Sequence, residues 1–363
     1  MATNRRELIV YVGCYTTPDR SGRGEGISAY RMDADSGVWQ PLGIVASVAN
    51  PSYLALHPRQ PVLYCVHGGE MSDVSAFAAG ADGALRQLGT WSSGGENPVH
   101  LDFDAFARWM VVANYTGGTI AAAPIHPDGS LGSLSDLVKF AGPAGPDPVQ
   151  QGSPHPHDIP FDPSGTFVVV PDKGLDRVYA FAFDADAGRF KPANPPFVGA
   201  EPGAGPRHVA FHPTRHWAYV VNELNSTVTT YGFEKGGNGM APLQTVASVP
   251  ADLEVRNTGS EILVHPSGRY VYVSNRGHDS VGIFEVDAAD GVLRPIAWCP
   301  TDGKTPRAMA LDPSGNYLYA ANQASDTIVK FQVDPATGQL SPTGQSVVTG
   351  SPSSIAFLRP AES

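Results

Sequence analysis

A few short stretches carry the side chains that could do acid–base or anion-binding chemistry. SPHPHD (153–158) holds His155 and His157, GPRHVAF (205–211) holds Arg207 and His208, and NELNS (222–226) holds Asn222 and Glu223. SNRGHDS (274–280) adds Asn275 and Arg276, TPRAM (305–309) adds Arg307, and ANQAS (321–325) adds Gln323. Histidine and carboxylate side chains are common general acids and bases, and guanidinium groups grip carboxylates and phosphates through paired donors. Glu223 and Arg276 occupy equivalent places in one repeated phrase, VVNELNSTV and VSNRGHDSV. A repeated structural slot has no structural reason to exchange an acid for a base.

The phrase belongs to a longer repeat. The segments YLALHPRQPVLYCVHGG, HLDFDAFARWMVVANYT, DIPFDPSGTFVVVPDKG, HVAFHPTRHWAYVVNEL, EILVHPSGRYVYVSNRG and AMALDPSGNYLYAANQA share one plan. Each is a short strand, a tight turn and a β-branched or aromatic strand ending near Asn. A third strand follows in most copies (RVYAFAFD, TVTTYGF, SVGIFEVD, TIVKFQVD), then a turn and a weaker fourth strand. A period of roughly 45–58 residues with four strands per unit predicts the blades of a β-propeller. No helical periodicity competes. The C-terminal SPSSIAFLRP supplies a first strand, and the N-terminal ELIVYVGCYT and GISAYRMD supply a second and third. Joined, these remnants complete a seventh blade and leave no open sheet edge. The expectation is an all-β, seven-bladed propeller of four-stranded blades, one domain over 1–363, closed by its two ends. AGPAGPDPVQQGSPHPHD (141–158) reads as an insertion between blades, of the kind that forms lids and binding loops.

In such a ring, residues before each first strand and after each second strand gather at one face, around the central channel. The first column reads Ser52, Val99, His157, Arg207, Ser260, Arg307 and Ser353. The second reads Gly68, Tyr115, Lys173, Glu223, Arg276, Gln323 and Cys14. Unlike charges at one channel mouth point to an anion-binding site with an acid–base pair beside it. Glu223, Arg207, Arg276 and His157 are the catalytic candidates. His155, His208, Asn222, Asn275, Arg307 and Gln323 are the candidate substrate contacts. The recurrent Asn at 114, 222, 275 and 322 reads first as a turn-bonding residue. His57, His212 and His265, ahead of the anchor prolines, read as turn residues on the opposite face. The 155/157 histidine pair lacks a third ligand at metal spacing, so neither metal nor cofactor is expected.

The bulk composition excludes other classes. With 24 Lys and Arg against 35 Asp and Glu the net charge is −11, and no basic run exceeds Arg5–Arg6, so a nucleic-acid partner is not expected. Three scattered cysteines, Cys14, Cys65 and Cys299, read as reduced thiols rather than a disulfide framework. The N-terminus lacks the apolar core of a signal peptide, and no segment is long enough to span a bilayer. A cytoplasmic monomer or weak homo-oligomer is the expectation.

At SPHPHDIPFDPSG, DKGLDRVYAF, GPRHVAFHP, YVVNELNSTV, EILVHPSGRYVYVSNRGHDSV and TPRAMALDPSGNYLYAANQASD the sequence resembles the seven-bladed propeller lactonases. That family includes propeller-type 6-phosphogluconolactonases and the 3-carboxy-cis,cis-muconate lactonizing enzyme. The resemblance covers essentially the whole chain. It implies a functional set of one histidine (His157 or its neighbour His155), Arg207, Glu223 and Arg276. It implies hydrolysis of a small anionic lactone, 6-phosphogluconolactone first. Glu223 would then be the general base on water, Arg276 the oxyanion donor, His157 the acid, and Arg207 the holder of the substrate's phosphate or carboxylate. The alternatives are a lactonizing cycloisomerase and a non-enzymatic protein-interaction propeller.

Overall fold

Strands that read as unbroken apolar runs are buried on both faces, and alternate residues meet different neighbours. In Glu7–Cys14, Leu8, Val10 and Val12 pack with Ala308, Tyr319 and Ile328, whereas Ile9 and Tyr11 pack with Leu54, Leu63 and Phe77. The two-residue period of a strand sends successive side chains to opposite faces, so one strand serves two interfaces. The computed structural model describes residues 7–234 and 237–359, which leaves Arg5–Arg6 and Pro360, the last residue of the C-terminal remnant, outside it. Among the described residues the strands form seven antiparallel sheets, six of four strands and one of three.

In chain order, blade one spans 51–92, blade two 98–139, blade three 156–199, blade four 206–247, blade five 258–300 and blade six 306–348. Blade seven joins Pro352–Leu358 to Glu7–Cys14, Ile27–Asp33 and Trp39–Ala46, with Ile9 opposite Leu358 and Val12 opposite Ile355. The core is divided among seven clusters, one at each contact between neighbouring blades. The ring and its closure by the two chain ends agree with the repeat pattern.

Blade three departs from the four-stranded expectation. Its inner segment, 156–161, makes only isolated bridges, Pro156 to Asp172 and Phe161 to Val168. Prolines 154, 156 and 160 withhold ladder donors, so the segment follows its neighbour without forming a regular strand. The segment is still held to its neighbour at the histidines: His157 N donates to the Pro171 carbonyl at 3.0 Å and His155 N to Asp172 Oδ1 at 2.9 Å.

The Asn column ties turns together. Asn114 Nδ2 donates to the Ser93 carbonyl (2.9 Å), Asn275 to that of Ser248 (2.9 Å) and Asn322 to that of Thr301 (3.0 Å). Asn222 bonds the hydroxyls of Thr227 (2.8 Å) and Thr229 (3.0 Å). On the far face, His57 Nε2 meets the Ala107 carbonyl at 3.0 Å and His265 Nε2 that of Gly315 at 3.1 Å, joining adjacent blades.

A chain ending at Ser351 lacks the inner strand of blade seven and leaves Glu7–Cys14 with an open edge. Its thermal unfolding, followed by circular dichroism, is expected to lose cooperativity or to move to a much lower temperature. A sharp transition at the full-length temperature would show that closure does not hold the ring.

Candidate active site

Three neighbouring blades deliver charged side chains to one point at the channel mouth. Lys173 follows the strand Phe167–Asp172, Glu223 follows Trp217–Asn222, and Arg276 ends Tyr270–Arg276. Arg207 lies in the inner strand Pro206–Phe211. Glu223 Oε1 accepts from Lys173 Nζ at 2.9 Å, while Oε2 lies 3.1 Å from Arg207 Nε and 3.3 Å from Arg276 Nη2. Backbone carbonyls fix the two arginines: Arg207 donates to Ser260 (2.6 Å) and Arg276 to Gly259 (2.9 Å). Lys173 also donates to Gln150 Oε1 at 2.7 Å, which ties the 141–154 insertion to the cluster.

Burial alone would raise the Glu223 carboxyl, but Arg276, Lys173 and Arg207 outweigh it and hold the group far below the usual carboxylate range. Burial and the nearby Arg276 push Arg207 down to about 9, which still leaves it charged at neutral pH. A carboxylate gripped by three cations is a very weak proton acceptor. The general-base role expected of Glu223 does not suit this geometry; it balances the charge of the cluster.

A second layer lies against the first. His208 Nδ1 bonds Glu261 Oε1 at 2.8 Å, and His100 Nε2 bonds Asp158 Oδ1 at 3.0 Å. The His208 ring is neutral, held down by burial and Arg207, and Glu261 is ionised because His208 and Arg207 offset its burial. His208 Nδ1–H therefore donates to the carboxylate, which leaves Nε2 with a free lone pair. His157 sits beside it, ring centroids 5.1 Å apart and steeply tilted. Burial first, and then the charges of Arg207, Arg307 and Lys173, keep His157 well below the ordinary histidine value, so it is neutral at pH 7. His157 Nδ1 and His208 Nε2 are buried, and neither has a hydrogen-bond partner among the described residues. Both rings line a small cavity with Arg207, Arg307, Tyr15 and Tyr53.

The expected site residues thus separate into groups. Glu223, Arg207 and Arg276 meet directly, and His157, His208 and Arg307 line the cavity beneath them. His155 stacks on Tyr115 at the mouth (4.3 Å, 8° between planes). Asn222 and Asn275, candidates for substrate contact, bond turn and strand groups through their Nδ2 atoms, the framework role read first for the recurrent Asn. Gln323 stays at the rim, where its carbonyl accepts from Arg23 at 2.7 Å. Lys173, Glu261, Gln150 and Tyr15 were not among the candidates. Lys173 could have been found, because it shares the column of Glu223. Glu261 lies one residue past the first column and gave no such signal.

The channel mouth of this seven-bladed propeller brings together Lys173, Arg207, Arg276 and Arg307, the carboxylates Glu223 and Glu261, and the neutral rings of His157 and His208, an arrangement able to bind a small anion beside acid–base groups. The sequence matches the family described as "Lactonase, 7-bladed beta-propeller" over residues 9–357. It is 33% identical to a 6-phosphogluconolactonase of Bacillus subtilis, over 84% of this chain and 85% of the relative. A crystal structure of a candidate 6-phosphogluconolactonase from Bacteroides fragilis, 33% identical, superimposes with a TM-score of 0.89 over 99% of both chains. The periplasmic gluconolactonase of Pseudomonas aeruginosa, 31% identical, gives 0.89 over 98% of this chain and 100% of its own. The chain belongs to the seven-bladed β-propeller lactonase family.

The charges of the site predict an acid limb in the stability profile. His157 and Glu223 both have folded pKa values below their ordinary 6.5 and 4.5. Each contributes stability that is present above its unfolded value and is lost as pH falls toward the folded one. Denaturant unfolding from pH 7 to pH 3 should show stability declining below about 6.5 and more steeply below about 4.5. Glu223→Gln should cost about 3–5 kcal/mol at pH 7, because it leaves buried cations unbalanced, and should flatten the lower part of the profile. A variant as stable as the parent would remove the charge-balancing role.

Proposed function

We propose that the chain hydrolyses 6-phosphogluconolactone to 6-phosphogluconate. The observation that carries this reading is the convergence of Lys173, Arg207, Arg276 and Arg307 on one mouth, where, among the described residues, the first three share Glu223 as their only direct ion-pair partner and Arg307 has none. The excess of positive charge suits a substrate bearing a phosphate and a carbonyl that becomes an oxyanion. The names of the Bacillus and Bacteroides relatives support the same substrate.

His157 is the better general base than Glu223, since it is neutral at pH 7 and carries no direct ion pair. In the proposed sequence a water oxygen attacks the ring carbonyl carbon while its proton passes to His157. Arg276 donates to the oxygen that becomes negative. Collapse of the tetrahedral intermediate breaks the bond between the carbonyl carbon and the ring oxygen. The proton on His157 moves to that oxygen and yields the hydroxyl of the open acid. Glu261 holds His208 in one tautomer, and His208 supports the ring of His157. Arg207 and Arg276 are both held by Glu223 and a carbonyl, but the Arg207 side chain is 3% exposed against 14% for Arg276, so Arg207 organises the cluster and leaves the substrate's anion to Arg307.

The cycloisomerase alternative needs an acid–base group poised to deliver a proton to carbon, and the relatives named above carry lactonase names. The docking-platform alternative expects aromatic and apolar anchors, whereas this mouth is charged and recessed.

Acid release from freshly made 6-phosphogluconolactone, followed at constant pH, should be accelerated far above the spontaneous rate. His157→Asn should lower kcat about a hundredfold or more with the fold intact. The lowered pKa of His157 places the acid limb of kcat/KM below pH 6.5, so the rate should hold nearly constant from pH 7.5 to that value. A limb centred above 6.5, or an unimpaired His157→Asn, would remove His157 from the proton path. No acceleration with this lactone would overturn the substrate.

A further inference from the structure

Two guanidinium groups lie over the ring of one buried tyrosine. Arg20 is 4.6 Å and Arg307 5.0 Å from the Tyr15 ring centroid, and Tyr15 is 2% exposed. The two arginines come from opposite ends of the chain. Arg20 ends the short turn Pro18–Arg20 inside blade seven, and Arg307 sits on the inner strand Pro306–Leu311 of blade six. Ring closure is what brings them together.

Their surroundings differ from those of the other basic groups. Arg207, Arg276 and Lys173 share Glu223, and each also has a carbonyl or amide oxygen. The Arg307 side chain has no hydrogen bond or ion pair among the described residues, although its backbone carbonyl accepts from Ser260 Oγ at 2.7 Å, and the Arg20 guanidinium has one hydrogen bond, Nη2 to the Tyr15 hydroxyl at 3.1 Å. A guanidinium carries five N–H donors, so most of those on this pair have no acceptor in the protein. None of these nitrogens is sealed from solvent, so a ligand's oxygens can replace water there with charge-assisted hydrogen bonds. The face of Tyr15 attracts both cations through its ring quadrupole, which permits two like charges to sit near one another. A phosphomonoester, with three terminal oxygens and a charge of about −1.5 to −2, matches two free guanidinium forks better than a single carboxylate does. Tyr15 and Arg307 line the same small cavity as His157 and His208, so an anion gripped at the mouth by this pair lies beside the histidines.

We propose that Arg20, Tyr15 and Arg307 form the subsite for the phosphate of the substrate and set the preference for phosphorylated over unphosphorylated sugar acids and lactones. The subsite rests on the lactone reading above for its place in a reaction, but its ligand chemistry can be tested without turnover. The full-length protein and the variants Arg20→Met and Arg307→Met are titrated with 6-phosphogluconate and with gluconate by calorimetry. Thermal unfolding of each variant serves as the control for folding. The parent should bind 6-phosphogluconate at least about tenfold tighter than gluconate, and each substitution should erase most of that difference. Inorganic phosphate should compete with 6-phosphogluconate in the parent and compete poorly in the variants. Equal affinity of the parent for the two acids, or a preference that survives both substitutions, overturns the subsite, as does failure of the parent to bind 6-phosphogluconate. Binding with the expected preference but without lactone hydrolysis would leave the subsite standing and sink the reaction.

Discussion

The site is organised by one buried carboxylate. Glu223 touches Lys173, Arg207 and Arg276, which arrive from blades three, four and five. Removed from water without it, three cations so close would repel one another and carry a heavy desolvation cost. With it they form a fixed array whose net charge stays positive. The array in turn pins the Ser260 and Gly259 carbonyls of blade five and, through Lys173, Gln150 of the long insertion. The same contact therefore defines the charge of the mouth, the register of neighbouring blades there and the seat of the loop above it.

The ring makes such an arrangement possible at low structural cost. Each blade buries both faces of its middle strands against its neighbours, so stability is spread over seven similar apolar interfaces. The two positions that border the channel at the mouth take no part in those interfaces. They can differ from blade to blade without disturbing the core, and they do: Lys173, Glu223 and Arg276 fill one slot, while His157, Arg207 and Arg307 fill the other. Where the strand pattern itself fails, in the proline-rich inner segment of blade three, the backbone carries His155 and His157 into the site.

The repeat made the fold legible because two-residue alternation, turn chemistry and period all agree. It made part of the site legible because it identifies which residues share a slot. Glu223, Arg207, Arg276 and His157 were readable in that way. Their roles were not, because a role depends on what lies across a blade boundary. Nothing in NELNS says that Lys173 and Arg276 reach the same carboxylate, and that contact makes Glu223 a weak base. Asn222 and Asn275 stand one residue before the second column, and their amide nitrogens bond the turns, the role the repeat itself suggests for them. Arg20 escaped because it belongs to a turn inside blade seven, outside both columns, and becomes a neighbour of Arg307 only when the chain ends meet.

The electrostatics of the cluster also link substrate binding to the basicity of the proposed base. His157 is held neutral first by burial and then by the positive charge of Arg207, Arg307 and Lys173, with His208 alongside. In the free protein this keeps the imidazole unprotonated but makes it a reluctant proton acceptor. An anion bound at the mouth cancels part of that field at short range in a site with little water, where charge interactions are strong. The pKa of His157 then rises toward the range in which a base is most effective near neutral pH. A neutral lactone would leave the field intact and meet a weaker base. On this argument a phosphate would contribute twice, once by anchoring the substrate and once by tuning the residue that takes the proton from water.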